Sequence, residues 1–284
     1  MNYYFFKKEK ALELIDKIEK NLIKNKKNLQ KAFDLDYKEW EIKISLEKLI
    51  ELIAKIKEKE YLPKFTKQEI VSGVGKIVLI TNQNPYLIFN FCLNAIYTNN
   101  YVDVMLEEKM LATNKVILEI IKKSLDELKL DSNIINHIES NKNEIISKQD
   151  DYDLLYYFGN KKEYIDFSKR IHIDSKFENF GEIYVYIEDN IFEDILKEID
   201  KFAYINEIKV NYFENELEKN IEQINKNNNI NKISVIFTKN IDNAYKFIKY
   251  IKSENVFINL NPIEFFKYDV DINKLVFKKK IYIK

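Results

Sequence analysis

The sequence predicts an α/β protein: a mostly parallel, Rossmann-like sheet flanked by helices, behind an N-terminal helical preface. Three observations carry this. Short β-branched runs alternate with segments of helical periodicity from residue 76 onward, which is the pattern of βα units. Before them, apolar residues recur three or four apart among lysines and glutamates, the spacing of amphipathic helices. The 284 residues, 46% hydrophobic and 32% charged, suffice for one large core or two modest ones.

The preface comes first. Leu12, Ile15, Ile18 and Leu22 set a helix over 7–33, and Leu46, Leu49, Ile50, Ile53 and Ile56 set a second behind Ser45, a helix-capping residue. The turn at 61–64 stops it. From Gly73 the character changes: SGVG leads into KIVLI (76–80), the loop TNQNP and an apolar helical stretch from Tyr86 to Tyr97. YVDVML (101–106) is then a strand and 115–128 a helix with Val116, Ile120, Ile121, Leu125 and Leu128 on one face. DLLYYFG (153–159) reads as a buried strand, 160–169 as a short helix or loop, and EIYVYIED (182–189) as a further strand. A helix (191–202), a strand (205–213) and a charged helix (214–226) follow, then the polar run 225–231 as a surface loop. KISVIF (232–237), a helix (241–252) and NVFINL (255–260) complete the alternation. The last ten residues, LVFKKKIYIK, read as an edge or intersubunit strand with lysines guarding it.

Composition excludes several function classes. With 46 basic and 46 acidic residues the formal net charge is zero, so no global field favours nucleic acid or an anionic membrane. Arg170 is the only arginine, so bidentate guanidinium clamps on phosphate are nearly absent. The apolar runs are far shorter than the ~20 residues that span a bilayer. One cysteine, Cys92, permits no intrachain disulfide, and the start offers no export signal; the expected location is cytoplasmic.

Familiar chemical motifs are missing. No Gly-x-Gly-x-x-Gly follows a strand, because Gly73 and Gly75 precede theirs and are entry-turn glycines rather than a phosphate loop. There is no Walker lysine motif, zinc-spaced Cys/His set or Gly-x-Ser-x-Gly elbow. His137 and His172 stand in polar stretches without a partner at ligand spacing, so no metal site is expected. The aromatic residues are spread along strands and helices, as core packing requires.

The order of the pieces nevertheless resembles the aldehyde dehydrogenase superfamily. GVGKIVLITNQNP, the helix ending NAIYTNNYVDVML, DYDLLYYFG, FGEIYVYIED and the late segment ISVIFTKNIDNAYKFIKYIKSENVFINLNP follow one another as that family's segments do. Gly75, Asn84, Pro85, Ala95 and Asn100 fall on its pattern, with Asn99 replacing a turn glycine, and Thr238, Ala244, Ser253, Val256 and Asn259 match the late segment. The branches it is most similar to are γ-glutamyl phosphate reductase and the CoA-acylating reductases. The resemblance implies four parts: a helical segment (1–62), a nucleotide-binding-like domain (63–189), a reduced remnant of the catalytic domain (190–262), and an oligomerisation strand (263–284).

Two departures bear on activity. The family's catalytic cysteine belongs between the closing cofactor-domain strand and the late asparagine segment; here 190–231 hold no cysteine and no placeable glutamate base. Cys92 sits instead in a helix that reads as core. On the cofactor side, the resemblance assigns Asn84, Pro85, Met105 and Gly159 to nucleotide-contact positions. Met105 stands where the family has a ribose-binding lysine; Lys109 or Thr113 could compensate. Asn84 could also donate to an oxyanion, but Asn before Pro is a turn former first. The cofactor is left open, NAD(P) being what the resemblance implies, and no catalytic residue is assigned. The expectation is a non-catalytic scaffold or regulatory protein that forms homo- or hetero-oligomers. The alternatives are an NAD(P)-dependent oxidoreductase acting on an aldehyde, acyl phosphate or acyl-CoA, and an NAD(P)- or CoA-binding sensor.

Overall fold

The computed structural model describes residues 8–40, 44–59, 64–65, 69–81, 84–106, 111–139, 141–159, 161–178, 183–193, 195, 208–213, 217–226, 231–260, 270 and 272–280. The chain divides into two units, Met1–Glu178 with Tyr268–Lys284, and Asn179–Lys267. No helix among the described residues is long and apolar enough to cross a membrane.

In the first unit the opening periodic stretch forms two helices, α1 (Lys8–Lys24) and α2 (Lys26–Trp40), where periodicity alone predicts one. Asn25 makes the break: its side-chain amide donates to the Asn21 carbonyl at 2.7 Å, so side chain and backbone compete for the same acceptor. Helix α3 (Leu46–Glu58) starts at Ser45, whose Oγ accepts from the Lys48 amide at 3.2 Å. It buries Leu46, Leu49, Leu52, Ile53 and Ile56. Strands β1 (Lys64–Phe65) and β2 (Glu69–Gly73) then form an antiparallel pair.

A five-stranded parallel sheet follows, built from β3 (Lys76–Thr81), α4 (Pro85–Tyr97), β4 (Tyr101–Leu106), α5 (Ala112–Glu127), β5 (Ile135–Ile138), α6 (Lys142–Ser147), β6 (Leu154–Phe158), α7 (Lys161–Ser168) and β7 (Ser175–Glu178). The strand order is β5-β4-β3-β6-β7. The direction of winding therefore reverses between β3 and β6, the switch point where open α/β sheets leave a crevice. Strands β5 and β7 escape the hydrophobic pattern because each is four residues long and lies at a sheet edge, with little apolar alternation to mark it.

The two faces of this sheet are distinct. Phe91 of α4 meets Tyr156 of β6 edge-on at 4.8 Å, which puts α4 on the face of Leu79, the residue paired with Tyr156. Helices α1, α3 and α5 pack against α4, so all thirteen of its residues are buried and no polar stripe is needed. Its buried amides satisfy each other instead: Asn94 donates to the Asn90 carbonyl at 2.7 Å and to its Oδ1 at 3.0 Å. On the other face Val78, Ile80, Met105, Leu155 and Tyr157 pack with Ile145 of α6 and Phe167 of α7.

The second unit holds β8 (Ile183–Glu188), β9 (Ile208–Phe213), α8 (Leu217–Lys226), β10 (Asn231–Phe237), α9 (Ile241–Tyr250) and β11 (Ser253–Ile258). Its sheet is parallel throughout, in the order β11-β10-β8-β9. Strand β8, read from sequence as closing the first domain, is instead an inner strand of this second sheet. Its backbone groups are taken by β10 on one side and β9 on the other, and that pairing decides its membership. Most of the helix expected at 191–202 lies outside the described residues, as do 61–63, 227–230 and 261–269. The chain then returns to the first unit as β12 (Val276–Lys280), antiparallel to β2, completing a three-stranded sheet β1-β2-β12.

The turn from α4 to β4 holds three segments of the first unit together. Helix α4 ends in a Schellman motif, with the Asn100 amide on the Ala95 carbonyl at 2.9 Å, the Asn99 amide on Ile96 at 3.2 Å, and Asn99 left-handed at φ 61°. Asn is the residue after Gly that best tolerates this region, so the sequence keeps the turn without the glycine. The buried Asn100 side chain accepts from the Gly75 amide at 3.0 Å and donates to Thr98 Oγ1 at 2.7 Å and to the Leu275 carbonyl at 2.9 Å. Gly73 is required beside it, because a Cβ there would lie 2.5 Å from the Asn99 carbonyl oxygen.

Replacing Asn100 with Ala should therefore lower unfolding free energy in urea by about 2 kcal/mol, since a buried amide and carbonyl lose their partner. Gly73→Ala should cost about 3 kcal/mol through overpacking against backbone, while Asn99→Gly should change stability by less than about 1 kcal/mol. Equal costs for all three would show that the turn geometry does not govern this junction.

Candidate functional site

The crevice rule directs attention to the carboxyl ends of β3, β4 and β6, where α4, α5 and α7 begin. Anion binding at such a place relies on unpaired amides in the first turn of a helix and on its positive dipole end. In two of these three helices those amides are already engaged by the protein.

At α4 the capping residue is Asn84, buried, with its Oδ1 accepting from the Tyr86 amide at 3.0 Å and the Leu87 amide at 3.2 Å. Pro85 occupies the first helical position and has no amide hydrogen to give. The turn-forming role read for Asn84-Pro85 is thus what these residues perform: they start the helix. At α5 the residue at the cap position, Leu111, supplies no side-chain bond. The cap comes from Asp36 of α2, whose carboxylate accepts from the Ala112 amide at 2.9 Å and the Thr113 amide at 2.8 Å. A carboxylate seated on that helix end presents negative charge where a phosphate would need the opposite.

The other two positions fare similarly. Met105 is 1% exposed and packs into the apolar cluster with Val78, Ile80 and Tyr157, so its side chain is spent in the core. Gly159 follows β6, and a Cβ built there would meet Tyr157 Cε1 at 3.1 Å, because the ring folds over the glycine. That ring is held in turn. Tyr157 OH accepts from Lys142 Nζ at 3.0 Å and donates to Glu163 Oε2 at 3.1 Å, and Lys142 also pairs with Glu163 at 3.0 Å. The hydrogen bond from Lys142 is the main cause holding the Glu163 carboxyl below the usual range, against the opposing effect of burial.

Sequence reading missed Asp36, although a signal was present. Leu29, Ala32, Phe33 and Asp36 fall on one helical stripe, and all four are buried, so an acid on an apolar face marked a residue with a buried partner. It also missed two hydroxyls. Thr81, which continues the Ile77–Leu79 face at the end of β3, and Thr113, in the first turn of α5, are fully buried, and their Oγ1 atoms have no hydrogen-bond partner among the described residues. Lys109 lies outside those residues.

Cys92 lies near the middle of α4, 0% exposed, and burial pushes its thiol up to about 12. A thiolate nucleophile needs the opposite surroundings, polar or positively charged and open to substrate. The histidines offer nothing in its place: His172 Nε2 meets Asp150 at 2.7 Å on the open surface, and desolvation is the main cause lowering the half-buried His137. Among the described residues no group of three or more His, Cys, Asp or Glu could hold a metal ion.

The matched positions of the late segment form a lock within the second unit. Thr238 and Asn259 exchange two bonds of 2.9 Å, Thr238 amide to Asn259 Oδ1 and Asn259 Nδ2 to the Thr238 carbonyl. Glu188, at the end of β8, accepts from Thr238 Oγ1 at 2.7 Å and from the Lys239 amide at 3.0 Å. Asn259 holds a left-handed φ of 52° and its amide reaches the Ile236 carbonyl at 2.9 Å. The arrangement ties the carboxyl ends of β8, β10 and β11 together.

The sequence matches no protein-family model and no curated protein sequence. Solved structures do resemble the chain. The γ-glutamyl phosphate reductase of Thermotoga maritima is 13% identical, with a TM-score of 0.61 over 97% of this chain and 93% of that one. The γ-glutamyl phosphate reductase of Saccharomyces cerevisiae is also 13% identical, with a TM-score of 0.55 over 97% and 92%. A glyceraldehyde-3-phosphate dehydrogenase of Methanocaldococcus jannaschii, solved in complex with NADP, is 12% identical, with a TM-score of 0.63 over 97% and 90%. The resemblance read from ordered short motifs is thus present in three dimensions: the chain carries the fold shared by γ-glutamyl phosphate reductases and aldehyde dehydrogenases.

Proposed function

We propose that this chain acts by association, as a non-catalytic scaffold or regulatory protein of aldehyde dehydrogenase fold working in the cytoplasm. The observation that carries this reading is the state of its one cysteine. Acyl and aldehyde chemistry on this fold proceeds through a cysteine thiolate, and here the only thiol is sealed inside α4, with burial holding it protonated at neutral pH. The buried position of Cys92 supports a role other than that of a nucleophile.

The cofactor positions support the same reading. A dinucleotide pyrophosphate does not fit the starts of α4 and α5 as they stand, because Asn84 and Asp36 occupy the donors it would use. Met105 offers no hydrogen bond to a ribose. What the chain does display is strand β12, whose one edge pairs with β2 and whose Phe277 is 57% exposed. An exposed aromatic on a sheet-edge strand fits an associating surface, and β12 is the surface proposed for homo- or hetero-oligomer formation.

Three measurements test the reading. A thiol reagent should leave Cys92 unmodified in the native protein and react with it only after unfolding; fast native labelling would return the cysteine to candidacy as a nucleophile. A thermal-shift titration with NAD, NADPH and CoA should show no stabilisation, whereas a ligand at ~100 times its dissociation constant would add about 2.7 kcal/mol. A clear shift would favour the sensor or oxidoreductase instead. Phe277→Lys should lower the mass seen by light scattering with the melting temperature kept, and an unchanged oligomeric mass would remove β12 from the interface. Separately, Asp36→Ala should cost about 2 kcal/mol of stability, through the two α5 amides left without an acceptor.

A further inference from the structure

Helix α9 of the second unit buries only part of its circumference. Ala244 and Phe247 face the core, Phe247 meeting Tyr186 edge-on at 4.7 Å. Yet Ile241 is 65% exposed, Tyr245 66% and Ile248 49%. These three residues follow the i, i+4, i+7 spacing, so they form one stripe along the helix, separate from the buried one. Single exposed apolar residues need no explanation; a contiguous stripe of three large ones marks a contact surface.

The charges beside the stripe indicate what covers it. Asp242 lies in the first turn and Lys249 in the last, seven residues apart and hence on the same flank. If two copies of α9 pack antiparallel about a two-fold axis near Tyr245, like flanks meet and the sequence direction reverses. Asp242 of each copy then faces Lys249 of the other, and opposite helix ends lie side by side with their dipoles opposed. The apolar residues interleave in the same register: Ile248 of one copy falls between Ile241 and Tyr245 of the other, and the two Tyr245 rings meet at the axis. Lys246 is drawn away by Glu218, 3.2 Å distant, and Lys239 and Lys252 lie beyond the helix ends. A parallel pair, with its two-fold running along the helices, would instead turn this flank of the two copies to opposite sides and leave Asp242 and Lys249 without a mutual contact.

We propose that α9 is a self-association surface of this chain, pairing antiparallel with α9 of a second copy. This contact does not depend on β12, and it is weak by itself, since a ten-residue helix covers less than the surface a standard interface buries. Sedimentation velocity across a concentration series should show a reversible dimer that Tyr245→Lys abolishes with the melting temperature retained. Reversing one charge, Asp242→Lys, should weaken dimerisation about tenfold through like-charge contacts repeated by symmetry. Adding Lys249→Asp should restore it, an outcome a parallel pair or an unrelated partner would not give. In a Tyr245→Cys protein, mild oxidation should form an interchain disulfide, Cys92 being buried and silent; a Phe277→Lys change in the same chain separates this result from any contribution of β12. A chain that stays monomeric at every concentration, fails to cross-link at position 245, or is indifferent to the charge exchange overturns the proposal.

Discussion

The first unit depends on one buried amide. Asn100 lies where α4 ends, β3 begins and the chain returns before β12, and its side chain bonds to each of these segments. The Schellman turn brings it there, and the close approach that leaves no room for a Cβ at Gly73 lets the backbone of β2 pass beside it. Residues more than 170 positions apart are thereby joined by a group that would be costly to bury unsatisfied. The short series of residues around Gly75 and Asn100 therefore has a structural role. They specify how strand, helix and tail meet, whatever chemistry the surrounding protein performs.

A second constraint acts at the other end of the sheet. Helix N-termini attract negative partial charge, and a protein can satisfy them with a ligand or with its own side chains. At α4 and α5 this chain does the latter. The Asn84 cap is local and arises from its own turn, whereas the Asp36 cap reaches across from α2 and so also fixes the helical preface against the sheet. A buried carboxylate with two short amide bonds is a structural fixture, and displacing it for a phosphate would leave a desolvated charge behind. The same physics that builds a phosphate cradle elsewhere stabilises the fold here.

Much of this was legible in the sequence and some was not. The alternation of β-branched runs and helical periods located β3, β4, β6, β8 and β10 to within a residue or two, because each is a buried parallel strand with a strong apolar run. Strands β5 and β7 were illegible because edge strands of four residues carry no comparable pattern. The membership of β8 was missed because a strand's own residues do not say which neighbours it will pair with. At the candidate site, the plain reading of Asn84 and Cys92 followed from residue chemistry alone. The Asp36 cap joins residues 76 and 77 positions apart, and sequence could reveal only that an acid sat on an apolar stripe.

The second unit extends the same reasoning to the late segment. Thr238 and Asn259 matched the family pattern there, and on a catalytic fold such polar residues invite a functional explanation. In this chain their donors and acceptors are turned on one another and on Glu188, closing the carboxyl ends of three parallel strands. Those ends expose backbone groups that need partners, and a side-chain amide together with a carboxylate supplies them at fixed geometry. A left-handed Asn259 then turns the chain out of β11. Such a lock serves the fold by itself and needs neither a thiolate nor a cofactor contact to be stable. About 13% identity thus coexists with a fold aligned over nearly the whole chain, and in this chain the polar residues at these strand ends join segments to one another.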